Sequence, residues 1–201
     1  MVGDDVAGFF GYRESGSDDP EEFTNFNVRA LFRQAFDAWS DVANIEFVEV
    51  REQGEASGYG YASDIRITFA RLDGPGDFLG RARLPIAVPL PTEGEILIDS
   101  SDSSLGRERK KLLAVATHEV GHAIGLEHVN IEGALMFPNI QRNVTSPQFD
   151  DISGARQIYG RQDGAQAPLR MTDRAPDLEL AAPIKKLRIL GTNDANMIGG
   201  A

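Results

Sequence analysis

The stretch Thr117-His118-Glu119-Val120-Gly121-His122-Ala123-Ile124-Gly125-Leu126-Glu127-His128 constrains this chain more than any other. His118 and His122 stand four residues apart, so on a helix their imidazoles lie one above the other, within reach of one metal ion. Glu119 projects beside them without entering the same ligand position, which leaves its carboxylate free to handle protons. Gly125 permits a backbone turn that residues with a Cβ adopt poorly, and the turn swings His128 back as a third nitrogen ligand. Three protein ligands leave a tetrahedral zinc one open position for water, the pattern of a catalytic rather than a structural site. A lone helical histidine is ordinarily a packed or solvated side chain. Here all 3 histidines of the chain fall in one stretch, with a Glu and a Gly at the required offsets. Spacing of that kind is specific.

Composition narrows the reading further. A chain of 201 residues accommodates one sizeable core and a tail rather than two full domains. With no cysteine there is no disulfide framework, thiolate metal site or cysteine nucleophile, so reinforcement must come from packing or ions. A formal net charge of −11, concentrated before residue 161, argues against nucleic acid as a partner. No apolar run approaches the length of a membrane span. The first residues lack the basic and apolar regions of a secretory signal. Composition alone leaves cytosolic residence, a trimmed signal and another export address open.

Along the chain, residues 6–12 are apolar and aromatic and read as a first strand. Asn25 or Asn27 can cap a helix whose stripe is Leu31, Ala35, Ala38, Trp39 and Val42, widened by Phe32 and Phe36, ending near Asn44. Alternation predicts strands over residues 45–50 and 65–69, then 79–84 as a more basic edge strand bounded by Pro85, then 96–98. From Arg107 a helix runs through Leu112, Leu113, Val115 and Ala116 into the histidine stretch. Ser146 and Pro147 read as a helix start, with Phe149, Ile152, Ala155 and Ile158 or Tyr159 as its stripe and Gly160 closing it. Residues 161–201 hold no sustained period and read as a linker with a short strand at Leu187-Arg188-Ile189-Leu190.

Together these pieces resemble the matrixins, the metzincin zinc endopeptidases that include the matrix metalloproteinases. The resemblance covers roughly residues 6–160. Phe32-Arg33-Gln34-Ala35-Phe36-Asp37-Ala38-Trp39-Ser40 is similar to the family's first helix and Ser63-Asp64-Ile65-Arg66-Ile67 to its third strand. Asp73-Gly74-Pro75-Gly76 is similar to its calcium loop. Gly133-Ala134-Leu135-Met136-Phe137-Pro138 resembles the Met-turn beneath the zinc, and Asp150-Asp151-Ile152-Ser153-Gly154 the start of the C-terminal helix. Pro138 departs from astacins and serralysins, which carry tyrosine there, and Val129 departs from the serine usual in matrixins.

The resemblance implies an α+β metzincin fold: a twisted five-stranded mixed sheet, mainly parallel with one antiparallel edge strand, three helices, and the active-site helix under the cleft. It implies zinc on His118, His122 and His128, with Glu119 taking a proton from the zinc's water and passing it to the leaving amine. Gly125, Met136, Asp150 and Asp151 would support the site. Asp73, Asp99 and Asp102, with the carbonyls of Gly74, Gly76 and Phe78, match the family's calcium ligands, although Asp and Gly also make ordinary turns. The family's second, structural zinc is not expected, because Arg81 and Leu97 stand where two of its ligands align. The substrate would lie extended along residues 79–84, meeting Leu79 and Gly80, with Ala114, Val115 and Ile140 near the pocket after the scissile bond.

The function expected is that of a secreted, monomeric metalloendopeptidase acting on protein or peptide substrates, with zinc and calcium as cofactors. Domain organisation is expected to be a catalytic unit over 1–160 and a linker over 161–201. The last twelve residues, from Leu190, resemble the opening of a calcium-binding glycine/aspartate nonapeptide array. On that reading the sequence is cut from a longer bacterial protein exported by a C-terminal signal. A rival from another class is a catalytically inactive zincin core serving as a calcium-dependent binding or adhesion module. The intact Glu119 weighs against it, since binding alone does not need that carboxylate.

Overall fold

Two parallel strands with every residue buried, β2 (Ile65–Ala70) and β4 (Glu95–Asp99), lie side by side at the centre of a sheet. β4 carries the apolar run Ile96-Leu97-Ile98 expected of a strand covered on both faces, whereas β2 alternates Ile65, Ile67 and Phe69 with Arg66 and Thr68 and buries both sets. The computed structural model describes residues 24–49, 65–74, 76, 78–85, 94–161 and 186–189. The expected strand over residues 6–12 and the repeat-like residues 190–201 lie outside these.

The helix before the sheet, α1 (Val28–Ser40), begins where Asn27 accepts the Ala30 N–H at 2.8 Å, satisfying one of the free donors of the first turn. It buries Val28, Leu31, Phe32, Ala35, Phe36 and Trp39, the expected stripe with Val28 added and with Ala38 and Val42 only partly covered. It ends at Ser40, short of Asn44, with Asp41 closing it. Arg29 and Arg33 on its exposed side both grip Glu49 of β1 (Val48–Glu49). Burial alone would raise the Glu49 carboxyl, but the hydrogen bonds and charges of the two arginines outweigh it and hold the group low.

β3 (Gly80–Ala82) pairs antiparallel with β4, in the register Gly80↔Ile98, Arg81↔Leu97 and Ala82↔Ile96. It is shorter than the 79–84 expected. After β4 the chain makes a short helix, α2 (Ser103–Arg107), capped by Asp102, and then α3 (Arg109–Ala123). The sequence reads as one helix from Arg107, but Glu108 breaks it with φ −105° and ψ 86°. Three helices were expected, and α2 is additional. α3 is buried over most of its circumference, as a core helix should be. Trp39 Nε1 donates to the Thr117 carbonyl at 2.9 Å and ties α1 to it. At Gly121 a Cβ would stand only 2.8 Å from Trp39 Cζ2 and still closer to Met136 Sδ, so hydrogen is the only side chain that fits.

The helix α4 (Phe149–Tyr159) starts two residues after Pro147 rather than at it. Asp151 accepts the Gln148 N–H at 2.7 Å, which makes Gln148 the cap. Gly160 closes α4 at φ 81°, as expected. The short strand expected at residues 187–190 is β5 (Lys186–Ile189), which inserts parallel between β1 and β2 to give the order β1-β5-β2-β4-β3. Part of the segment read as a linker therefore belongs to the sheet. Among the described residues, no helix is long and apolar enough to cross a membrane.

Candidate zinc site and its surroundings

α3 places His118 and His122 one turn apart, and their rings meet at a centroid separation of 4.8 Å. The helix stops at Ala123. Gly125, at φ 100°, then reverses the chain while its N–H and that of Ile124 close the last turn on His122 O and Val120 O. This reversal delivers His128, whose Nε2 lies 3.1 Å from Nε2 of both His118 and His122. Among the described residues, these three form the group whose ligand atoms all lie within 4.8 Å of one another.

Which nitrogens converge follows from the partners on the far side of two rings. His118 Nδ1 lies 2.7 Å from the Leu135 carbonyl and His122 Nδ1 lies 2.7 Å from the Leu126 carbonyl. A carbonyl only accepts, so each Nδ1 carries the proton and each Nε2 turns a lone pair inward. Burial lowers the pKa of His118 to about 4, opposed by the Leu135 hydrogen bond and reinforced by its two histidine neighbours. Burial also lowers His122, opposed by its bond to Leu126. Neutral imidazoles with converging lone pairs are what a zinc ion requires, and N···N edges of 3.1 Å suit bonds of about 2.0–2.1 Å. The donor set fits zinc.

Glu119 sits on the same helix, buried, with Oε2 making no hydrogen bond among the described residues. Burial pushes its pKa up to about 8, against the Ala82 backbone hydrogen bond and the Arg81 charge, which both lower it. β3 comes this close because Gly80 has no side chain: a Cβ there would lie 3.0 Å from Glu119 Cγ, Glu119 Oε1 and Val115 Cγ1.

Beneath the histidines, Met136 is buried and its carbonyl accepts the Val129 N–H at 3.0 Å, holding the turn against the strand of chain after His128. Asp151 fixes this turn from below. Its Oδ2 accepts Leu135 N–H at 2.7 Å and its Oδ1 accepts Met136 N–H at 3.0 Å. The Leu135 peptide is thus held at both ends, by Asp151 at its N–H and by His118 at its carbonyl. Asp150, grouped with Asp151 as support, makes no comparable bond among the described residues.

Of the remaining candidates, Gly80 and Val115 come together beside Glu119. Ala114 and Val115 are buried within α3, Ile140 is half-buried against the core, and Leu79 accepts the Asp99 N–H at 3.0 Å. The calcium candidates are each held by local hydrogen bonds. Leu72 N–H donates to Asp99 Oδ1 at 3.1 Å, which draws the 72–78 loop beside Asp99, and Asp73 accepts the Phe78 N–H at 3.1 Å within the loop. Gly74 and Gly76 turn that loop. Asp102, however, caps α2 at Ser104 and faces Lys111 Nζ at 3.3 Å. The backbone groups that set the site, the carbonyls of Leu126 and Leu135 and the backbone of Ala82, carry no sequence signal, since every residue has them.

A family model for Matrixin matches residues 13–160. This chain belongs to the matrixin family. Its matrixin domain is 36% identical over 147 residues to the hatching enzyme of Paracentrotus lividus, covering 69% of this chain and 24% of that protein. It is 34% identical over 152 residues to stromelysin-3 of Rattus norvegicus, covering 71% and 29%, and 35% identical over 159 residues to human matrix metalloproteinase-16, covering 71% and 25%. The chain spans under a third of the length of these curated relatives.

Proposed function

We propose that this matrixin domain is a zinc-dependent endopeptidase that cuts internal bonds of extended peptide segments. The observation that carries the reading is the convergence of three Nε2 atoms beside a buried carboxylate with one oxygen unpaired among the described residues. Zinc, when bound by His118, His122 and His128, supplies a Lewis acid for the scissile carbonyl and for water. Glu119 Oε2 takes a proton from the attacking water as its oxygen bonds to the carbonyl carbon, then gives it to the amine nitrogen as the C–N bond breaks. Burial keeps that proton on a basic carboxylate rather than in bulk water. The substrate's route is β3, where Gly80 and Ala82 turn their backbone groups away from β4 and can pair with an extended chain. A diverse peptide library should be cleaved by zinc-loaded protein, with cleavage abolished by a chelator and restored by zinc. If no peptide is cut, the domain is instead a binding module.

Calcium belongs to this reading on the chemistry of the 72–78 loop, where Asp73 and Asp99 offer hard oxygens beside backbone carbonyls. Calcium should raise the melting temperature of the parent, since an ion held only by the folded state stabilises it by mass action. Asp99→Ala should melt at the same temperature with and without calcium. A mutant that still responds like the parent excludes Asp99 as a ligand.

A further inference from the structure

Arg81 stands out on an acidic chain because its charge is uncommitted. Among the described residues it has no ion-pair partner, and its side chain is exposed. Its guanidinium carbon lies 5.8 Å from the centroid of the Phe78 ring, itself 58% exposed, so an aromatic face holds the cation in place at the surface. The position is defined by the strand. Gly80 faces α3, where its missing Cβ would meet Val115 and Glu119, so by alternation Arg81 faces the opposite side of the sheet. There it lies directly across from Leu97. Arg83 follows two residues on, its N–H bonded to the Glu95 carbonyl, and likewise has no ion-pair partner among the described residues.

The backbone explains why this matters for a bound peptide. Asp99 N–H donates to Leu79 O and Arg83 N–H donates to Glu95 O, so the odd-numbered residues of this strand spend their polar groups on β4. Those of Gly80 and Ala82 point to the free edge. A chain pairing antiparallel to that edge places one of its residues opposite Arg81 in the non-hydrogen-bonded register, where facing side chains approach most closely.

We propose that Arg81 is a specificity determinant that selects, in the peptide strand paired with β3, an acidic side chain at the position facing it, with Arg83 favouring a second acid two residues along. This rests on the endopeptidase reading above. An opposite-charge cross-strand pair should favour Glu over Gln at that substrate position by about 1.4- to 5-fold in kcat/KM.

The test is a set of cleavable peptides in which each position before and after the cut carries Glu, Gln or Lys in turn, assayed with zinc-loaded parent, Arg81→Gln and Arg81→Glu. The parent should prefer Glu to Gln at one position, and the preference should shrink in about 1 M salt, where the Debye length is about 3 Å. Arg81→Gln should bring that ratio to about one, and Arg81→Glu should turn the preference to Lys. Arg81 also acts on Glu119 through its charge, but a change there scales all peptides alike and leaves the Glu-to-Gln ratio untouched. Cleavage with no acidic preference, or a preference unmoved in Arg81→Gln, overturns the proposal and leaves the endopeptidase reading standing. Absence of chelator-sensitive cleavage from every peptide overturns both.

Discussion

Replacing Glu119 by Ala should lower kcat/KM for peptide cleavage by about 10²–10⁴-fold while zinc content per chain stays unchanged. The two halves of this expectation have separate causes. His118 and His122 are held by the carbonyls of Leu135 and Leu126, and neither bond involves Glu119. Removing the carboxylate therefore leaves the ligand set in place. What it removes is the one buried acceptor beside the site with a free oxygen, and with it the carrier of the proton between water and amine. Burying a carboxylate costs stability, so the variant should melt no lower than a cavity of that size dictates. Cleavage per bound zinc is the measurement. Equal rates for parent and variant would remove Glu119 from the mechanism; loss of zinc along with activity would make it a structural residue instead.

Asp151→Asn should lower the melting temperature by roughly 2–12 °C and weaken zinc binding by about tenfold. Asp151 is buried and accepts three backbone N–H groups, those of Leu135 and Gln148 on Oδ2 and that of Met136 on Oδ1. An amide has one acceptor oxygen, so in either orientation its NH₂ faces at least one of these donors. Leaving a buried donor unsatisfied costs about 1–3 kcal/mol, and about 2–4 °C of melting temperature accompanies each kcal/mol in a domain of this size. The zinc effect travels one peptide further. Leu135 is held by Asp151 at its N–H and holds His118 at its carbonyl, so loosening the first frees the second, and groups that orient metal ligands typically matter by about 10–100-fold. Asp150→Asn is the control, since Asp150 makes no such bonds among the described residues; a neighbour with the same chemistry should change zinc affinity little. Calorimetric melting and competitive zinc titration read both effects, and an unchanged zinc affinity in Asp151→Asn would break the link to His118.

The three-histidine group and Glu119 were legible in the sequence because their geometry is local. Four residues on a helix and a glycine at the reversal fix where His118, His122 and His128 point, whatever else the chain does. The stripe of α1 was legible for the same reason, as was the closure of α4 at Gly160. Short-range rules fixed these elements, and the structure kept them. Misjudged boundaries arose where a side-chain cap or a single dihedral intervened. Asp151 accepts the Gln148 N–H and sets the start of α4 past Pro147, and Glu108 splits what reads as one helix. β5 was legible as a short strand but not as a member of this sheet, because a four-residue parallel strand gains its partners across more than a hundred residues of chain. The sequence by itself determined which atoms can hold a metal and which can carry a proton, since both depend on residue type and helical spacing. Only the tertiary structure decided which nitrogen of His118 and His122 faces the metal, how near β3 comes to Glu119, and where the Arg81 charge stands. These depend on backbone carbonyls and strand pairing, which every residue can supply and only folding assigns.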